Sequence, residues 1–165
     1  MKTSYLIPVL ALLAGAGVSR AAVSLTSSNT FSSITGQYTY NYSVVNSGSP
    51  EELIQVTFPV SASAALMGLT APTGFNITYD TVGARVNFIW DNDEFTTQTF
   101  APESTVSGFS FTSPVGPGLV DFIASDINQD FTGSTTAPVP EPSAGLLGLG
   151  ALGLLLRRRQ RSSQP

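Results

Sequence analysis

Asp91-Asn92-Asp93-Glu94 sets three carboxylates within four residues, and Asp126-x-Asn128-x-Asp130 spaces three oxygen donors two residues apart. These are the two places where residue types and spacing could do chemistry. A pair of carboxylates flanking a cleft serves as acid and base in glycoside hydrolysis. Alternate oxygen donors are also how a calcium loop begins. A plainer role stands beside each. Asn and Asp favour turns because their side chains bond the backbone two residues on, and four polar residues directly after Trp90 suit a solvated hairpin. In the second run Thr132 falls on the fourth ligand position. Phe131 then stands where the loop needs glycine, and Ala137 where it needs a bidentate glutamate. Both runs are therefore expected to be surface turns, with Asp91, Asp93, Glu94, Asp126, Asn128 and Asp130 as weak calcium candidates and no resident metal or cofactor.

The rest of the inventory narrows the chemistry further. The sequence has no His and no Cys, and its one Lys is Lys2. That removes Ser-His, Cys-His and Ser-Lys nucleophile systems as well as imidazole and thiolate metal sites. No catalytic residue is assigned, and a carboxylate glycosidase is a distant alternative to a non-enzymatic protein. Without Cys there are no disulfides, so apolar burial must hold the fold. All ten Phe, with Trp90, Tyr38, Tyr40, Tyr42 and Tyr79, fall within residues 22–138. At roughly 150–250 Å² buried per aromatic ring, that is an adequate core for one small domain.

Alternation with period two is the dominant pattern, and it places residues i and i+2 on one face of a strand. Tyr38, Tyr40, Tyr42 and Val44 alternate with Thr39, Asn41 and Ser43; Ile54, Val56, Phe58 and Val60 alternate with Gln55 and Thr57. Phe75, Ile77 and Tyr79 repeat it, as do Ala84, Val86, Phe88 and Trp90. Val106, Phe109 and Phe111, then Val120, Phe122 and Ala124, give two later runs. Turn chemistry separates them at Asn46-Ser47-Gly48-Ser49-Pro50, Pro72-Thr73-Gly74 and Gly116-Pro117-Gly118. Weaker strands are expected near residues 23–27 and 95–100, and residues 62–67 come nearest to a helix, of one or two turns. Six clear strands and two weaker ones predict an all-β fold, an antiparallel two-sheet sandwich of immunoglobulin-like type. Trp90 is in phase with Val86 and Phe88, which assigns it to the core rather than to sugar stacking. Asn41-Tyr42-Ser43 and Asn76-Ile77-Thr78 fit the glycosylation pattern, but both fall mid-strand and are read as strand residues.

The two ends carry a different signal. Lys2, an apolar stretch over residues 6–18 and Ser19-Arg20-Ala21 form a secretory signal peptide, residues 1–21, cut after Ala21 and routed through the Sec translocon. Near the other end stands Val139-Pro140-Glu141-Pro142, where prolines keep the backbone extended. Ala144, Gly145, Leu146, Leu147, Gly148, Leu149, Gly150, Ala151, Leu152, Gly153, Leu154, Leu155 and Leu156 follow without a polar side chain. As a helix they would span about 20 Å, short of the roughly 30 Å hydrocarbon core. Arg157, Arg158, Arg159 and Arg161 then form a basic stop that holds this end in the cytoplasm.

This motif, apolar helix and Arg cluster resemble the tail of PEP-CTERM exported bacterial proteins, which a membrane-embedded exosortase recognises. The order Tyr-x-Tyr-x-Val-x-Asn at Tyr40 to Asn46, Pro-x-Gly-Phe at Pro72 to Phe75 and Gly-Phe-Ser-Phe-Thr-Ser at Gly108 to Ser113 is also similar to domains found in that class. The resemblance implies an exosortase as processing partner and a transient inner-membrane anchor through the C-terminal helix. It also implies a final place at the cell surface or in the extracellular matrix of an exopolysaccharide-producing bacterium. The organisation expected is residues 1–21 signal peptide, 22–132 sandwich, 133–138 Ser/Thr/Pro linker and 139–161 sorting signal.

Charge bounds the partners. Residues 22–138 contain ten acids and one base, Arg85, a net charge of −9. Such a domain repels nucleic acid, which is excluded as a partner, and binds acidic polymers poorly. Extracellular polysaccharide is a candidate partner for a carbohydrate-binding or adhesive module. Retention in an anionic matrix would then need covalent processing, contacts to neutral sugars, or divalent ions bridging groups such as Asp91, Asp93 and Glu94.

Overall fold

A computed structural model describes residues 23–91 and 98–139. Nine strands occupy them: β1 (Val23–Ser32), β2 (Gln37–Asn46), β3 (Gln55–Pro59), β4 (Met67–Thr70), β5 (Phe75–Asp80), β6 (Arg85–Trp90), β7 (Ser104–Ser113), β8 (Pro117–Ser125) and β9 (Asp130–Pro138). They form a four-stranded sheet, β1-β2-β7-β4, and a five-stranded sheet, β5-β6-β3-β8-β9, with every pairing antiparallel. The fold is a two-sheet antiparallel sandwich. Among the described residues there is no helix; the helices expected at the two ends lie outside them.

The core is where the alternation places it. Tyr40, Tyr42 and Val44 from β2 meet Val56 and Phe58 from β3 and Val86 and Phe88 from β6, all buried. Aromatic rings join the sheets: Phe88 stacks on Phe109 at 4.2 Å, and Tyr42 lies 5.1 Å from Phe58. Each buried tyrosine keeps a partner for its hydroxyl. Tyr40 Oη donates to Val115 O at 2.7 Å and Tyr42 Oη to Thr136 O at 3.0 Å. Burial pushes both phenols above the ordinary tyrosine range, so they stay neutral donors. Trp90 packs partly buried against this core, as its phase implies.

In β7 the apolar positions Val106 and Phe109 are three apart, which unbroken alternation forbids. The extra residue is Gly108, at φ +104°, where the β2–β7 register shifts between Tyr42 and Ser43. A bulge there returns Phe109 and Phe111 to the core face, and glycine supplies the backbone conformation it needs.

Four expectations change. Residues 62–67 are not helical: a turn closed by Ala64 N–H to Ser61 O at 2.9 Å leads into strand β4. Ile54 is exposed and Leu53 is fully buried instead, because Leu53 N–H bonds Phe100 O and the apolar phase resets before β3 begins. Phe100 forms an isolated bridge to Leu53 rather than part of a strand over 95–100, and residues 95–97 lie outside the described ones. Residues 133–138 are no linker. They are the second half of β9, paired with β8 as far as Pro117 with Pro138. Thr and Ser sustain a strand as well as they fill a linker, and the β8 ladder decides between the two.

Candidate functional site

The acidic turn is built from residues 126–129, between β8 and β9. Asp126 Oδ1 accepts the backbone N–H of Asn128 at 2.6 Å and of Gln129 at 2.8 Å, while Ser49 Oγ donates to Asp126 Oδ2 at 3.1 Å. Asp130 Oδ1 accepts Ser125 Oγ at 2.6 Å. These carboxylates are spent on organising a hairpin. The first cluster divides: Asp91 Oδ2 accepts Asn76 Nδ2 at 2.8 Å, whereas Asp93 and Glu94 lie outside the described residues. Among the described residues, no three acids come together to hold an ion.

Two shallow depressions, of about 470 and 130 Å³, lie on the outer face of the five-stranded sheet and share Asp121 and Ile123. Asp121 is the only carboxylate lining either among the described residues, so neither offers the second acid of a glycosidase.

Asp126 titrates below the usual carboxylate range, chiefly because the Asn128 N–H bonds its charged form, with Gln129 and Ser49 adding to it. A depressed folded value means stability that is present above the unfolded value of 3.8 and lost as pH falls through the folded one. Asp126→Asn should therefore melt below the parent at pH 6, and the gap should close below about pH 3.8. Melting curves across that range check it.

The tail leaves the sandwich at a tightly seated junction. Pro138 O accepts Ser61 N–H at 2.8 Å, and Val139 N–H turns back to Ala137 O at 2.8 Å. Thr136 is held by Ser27 Oγ at 2.6 Å, by Asn29 Nδ2 at 2.9 Å and by the Tyr42 hydroxyl on its carbonyl. Gly118 lets Val139 lie close: a Cβ there would meet Val139 Cγ2 at 2.5 Å. Asn29 and Ser61 were not singled out in the sequence, and Gly118 was read there only as part of a turn, because a seat assembled from β1, β2, the β3–β4 loop and β8 leaves no local pattern. The motif thus begins against folded protein. Residues 140–161, with the rest of the motif, the apolar run and the basic stop, lie outside the described residues, as does Ala21.

The PEP-CTERM protein-sorting motif family matches residues 138–159. The chain carries a PEP-CTERM sorting motif. The match starts at Pro138, the last residue of β9, so the PEP-CTERM motif abuts the sandwich directly. No curated protein matches in sequence. Among solved structures, the seventh ScaB type I cohesin from Pseudobacteroides cellulosolvens aligns at 11% identity over 73% of this chain and 94% of its own, with TM-score 0.41. A chain of the Coh-OlpA-Doc918 cohesin–dockerin complex from Clostridium thermocellum aligns at 10% identity over 72% of this chain and 99% of its own, with TM-score 0.43. The GH20 exo β-N-acetylglucosaminidase from Vibrio harveyi aligns at 12% identity over 73% of this chain and 18% of its own, with TM-score 0.40.

One further surface of the domain stands out. None of the strands β1, β2, β4 and β7 contains Asp, Glu, Lys or Arg. Their outer face pairs Thr26 with Ser43, Ser28 with Asn41 and Thr30 with Thr39, and continues onto Ser107, Ser110 and Thr112. Ser43 Oγ donates to Ser107 Oγ at 2.7 Å, and Thr70 and Ser110 hydroxyls meet at 2.6 Å. It is an uncharged lattice of hydroxyls and amides on a strongly acidic domain.

Proposed function

We propose that this is a non-enzymatic exported protein, sorted by an exosortase through its tail and placed at the cell surface or in the extracellular matrix. The observation that carries it is the sorting-motif match over residues 138–159, a span that takes in the Pro-Glu-Pro triplet, the apolar run of residues 144–156 and Arg157, Arg158 and Arg159. The tail serves as a removable anchor for the domain. Mass spectrometry of protein from the cell surface or medium tests this. The mature form should lack residues 144–161, and peptides spanning Leu156-Arg157 in it would overturn the reading.

A second reading, a carbohydrate-binding or adhesive module, is favoured by the hydroxyl lattice on β1, β2 and β7. Hydroxyls and amides without charge suit a neutral polysaccharide, which meets no repulsion from the acids placed elsewhere. Co-sedimentation with insoluble neutral polysaccharide should succeed where an acidic polymer fails. Ser28→Glu with Asn41→Glu should abolish it, since the two positions face each other across β1 and β2. Equal binding to both polymers would remove this reading.

A further inference from the structure

The two ends of the sandwich differ in chemistry. The tail leaves from the end that carries the β1–β2 hairpin, the β3–β4 loop, the β5–β6 hairpin and the β7–β8 loop. The pairings Ser32 with Gln37, Pro59 with Arg85, Asp80 with Arg85 and Pro117 with Pro138 fix that grouping, and the Ser61–Pro138 hydrogen bond ties it together. Ile34 and Val82, at the tips of its two hairpins, are each 96% exposed. Phe31, Met67 and Leu119 are exposed beside them. Among the described residues its acids are Asp80, which accepts the N–H groups of Val82 and Gly83 and pairs across the ladder with Arg85, the domain's only base, and Asp121, which lines a depression with Pro59 and Arg85 on the sheet's outer face. Glu51, Glu52, Asp91, Glu103, Asp126 and Asp130 all lie at the opposite end.

We propose that the tail-proximal end is a membrane-contact surface, with Ile34 and Val82 seated in the headgroup layer while the tail is inserted. This rests on the sorting reading, which puts residues 144–156 in the bilayer. Three observations favour a membrane as the occupant. Four residues lie between Val139 and Ala144, five steps along the chain, and a fully extended chain covers at most about 3.3–3.6 Å per residue, so this end is held within about 18 Å of the apolar run. Residues 133–138, which could have lengthened the tether, are locked in β9. Six of the eight acids among the described residues sit at the far end, beyond the roughly 8–10 Å over which an anionic surface would repel them at physiological salt; the other two, Asp80 and Asp121, lie beside Arg85, and exposed apolar tips suit an interface. The −9 of the whole domain conceals this polarity.

The sequence has no Cys, so single cysteines can be placed cleanly. The chain is isolated with its tail from the inner membrane of a host lacking exosortase, after leader removal is checked by mass. Ile34→Cys, Val82→Cys, Ile127→Cys and Leu149→Cys are each labelled with a polarity-sensitive fluorophore and reconstituted in phosphatidylethanolamine–phosphatidylglycerol vesicles. Ile127 is the control, being 72% exposed at the acidic end. Emission from Trp90 confirms that each variant is folded. Blue-shifted emission with quenching by lipid-borne nitroxide is expected at 34, 82 and 149, and watery emission at 127. Quenching at 149 alone would overturn the contact surface and leave the sorting reading standing. Quenching at none of the four would overturn both. A blue shift at 34 and 82 without lipid quenching would mean burial against a second copy, and would also overturn the proposal.

Discussion

Phe88→Asp is expected to leave no folded domain, whereas Asn87→Asp should fold and melt within a few degrees of the parent. The two residues are adjacent in β6 and face opposite ways. Phe88 is fully buried, 4.2 Å from Phe109, 5.3 Å from Phe58 and 5.5 Å from Tyr42. A carboxylate there loses about 3–5 kcal/mol of aromatic packing and adds several more for an unpaired buried charge. Together these match the roughly 5–15 kcal/mol that holds a domain of this size. Asn87 sits in a polar ladder on the outer face, where Thr57 Oγ1 donates to its Oδ1 at 2.8 Å and its Nδ2 donates to Thr78 Oγ1 at 3.1 Å. Aspartate keeps the acceptor and loses one surface donor, a cost of about 0.5–1.5 kcal/mol. Circular-dichroism melts of the two variants decide it, and equal melting temperatures would mean that the faces of β6 are reversed.

That contrast works because period two is a direct image of a strand with one buried face. The faces of β2, β5, β6 and β8 were legible for this reason, and so was the sandwich they imply. Legibility ended where the chain left period two. Gly108 inserts one residue into β7, and the three-residue step from Val106 to Phe109 was the visible trace of it. Leu53 and Phe100 are buried through a single bridge between distant loops, which no local pattern encodes. Residues 133–138 misled through composition, since a hydroxyl-rich segment becomes strand or linker according to whether a neighbour such as β8 is present to pair with it. The candidate sites divide in the same way. The Pro-Glu-Pro signal is linear and was read directly. The charge-free outer face and the acid-poor tail end are assembled from several strands and hairpins, and only register reveals them.

The sorting signal is where a small change should have the largest effect in the cell. Replacing Pro140, Glu141 and Pro142 with alanine is expected to stop processing and leave the full tail in the inner membrane. Val139 is held against Gly118 and turned back to Ala137 O, so an enzyme has no slack upstream and must grip the residues just beyond. Prolines keep such a stretch extended and bar it from continuing a helix. Alanines favour helix strongly, and would let a helix over residues 144–156 extend back toward the domain and close off the backbone that an enzyme grips. Removing Glu141 also takes away the only charge between Asp130 and Arg157. Cell fractionation with mass spectrometry reads the result: peptides containing Arg157 should be absent from surface protein of the parent and should accumulate in the membrane fraction of the variant. Normal release of the variant would shift recognition onto the apolar run and the Arg cluster, leaving the prolines as a spacer. The domain should fold equally well in both, because β9 ends at Pro138, before any of the three substituted residues.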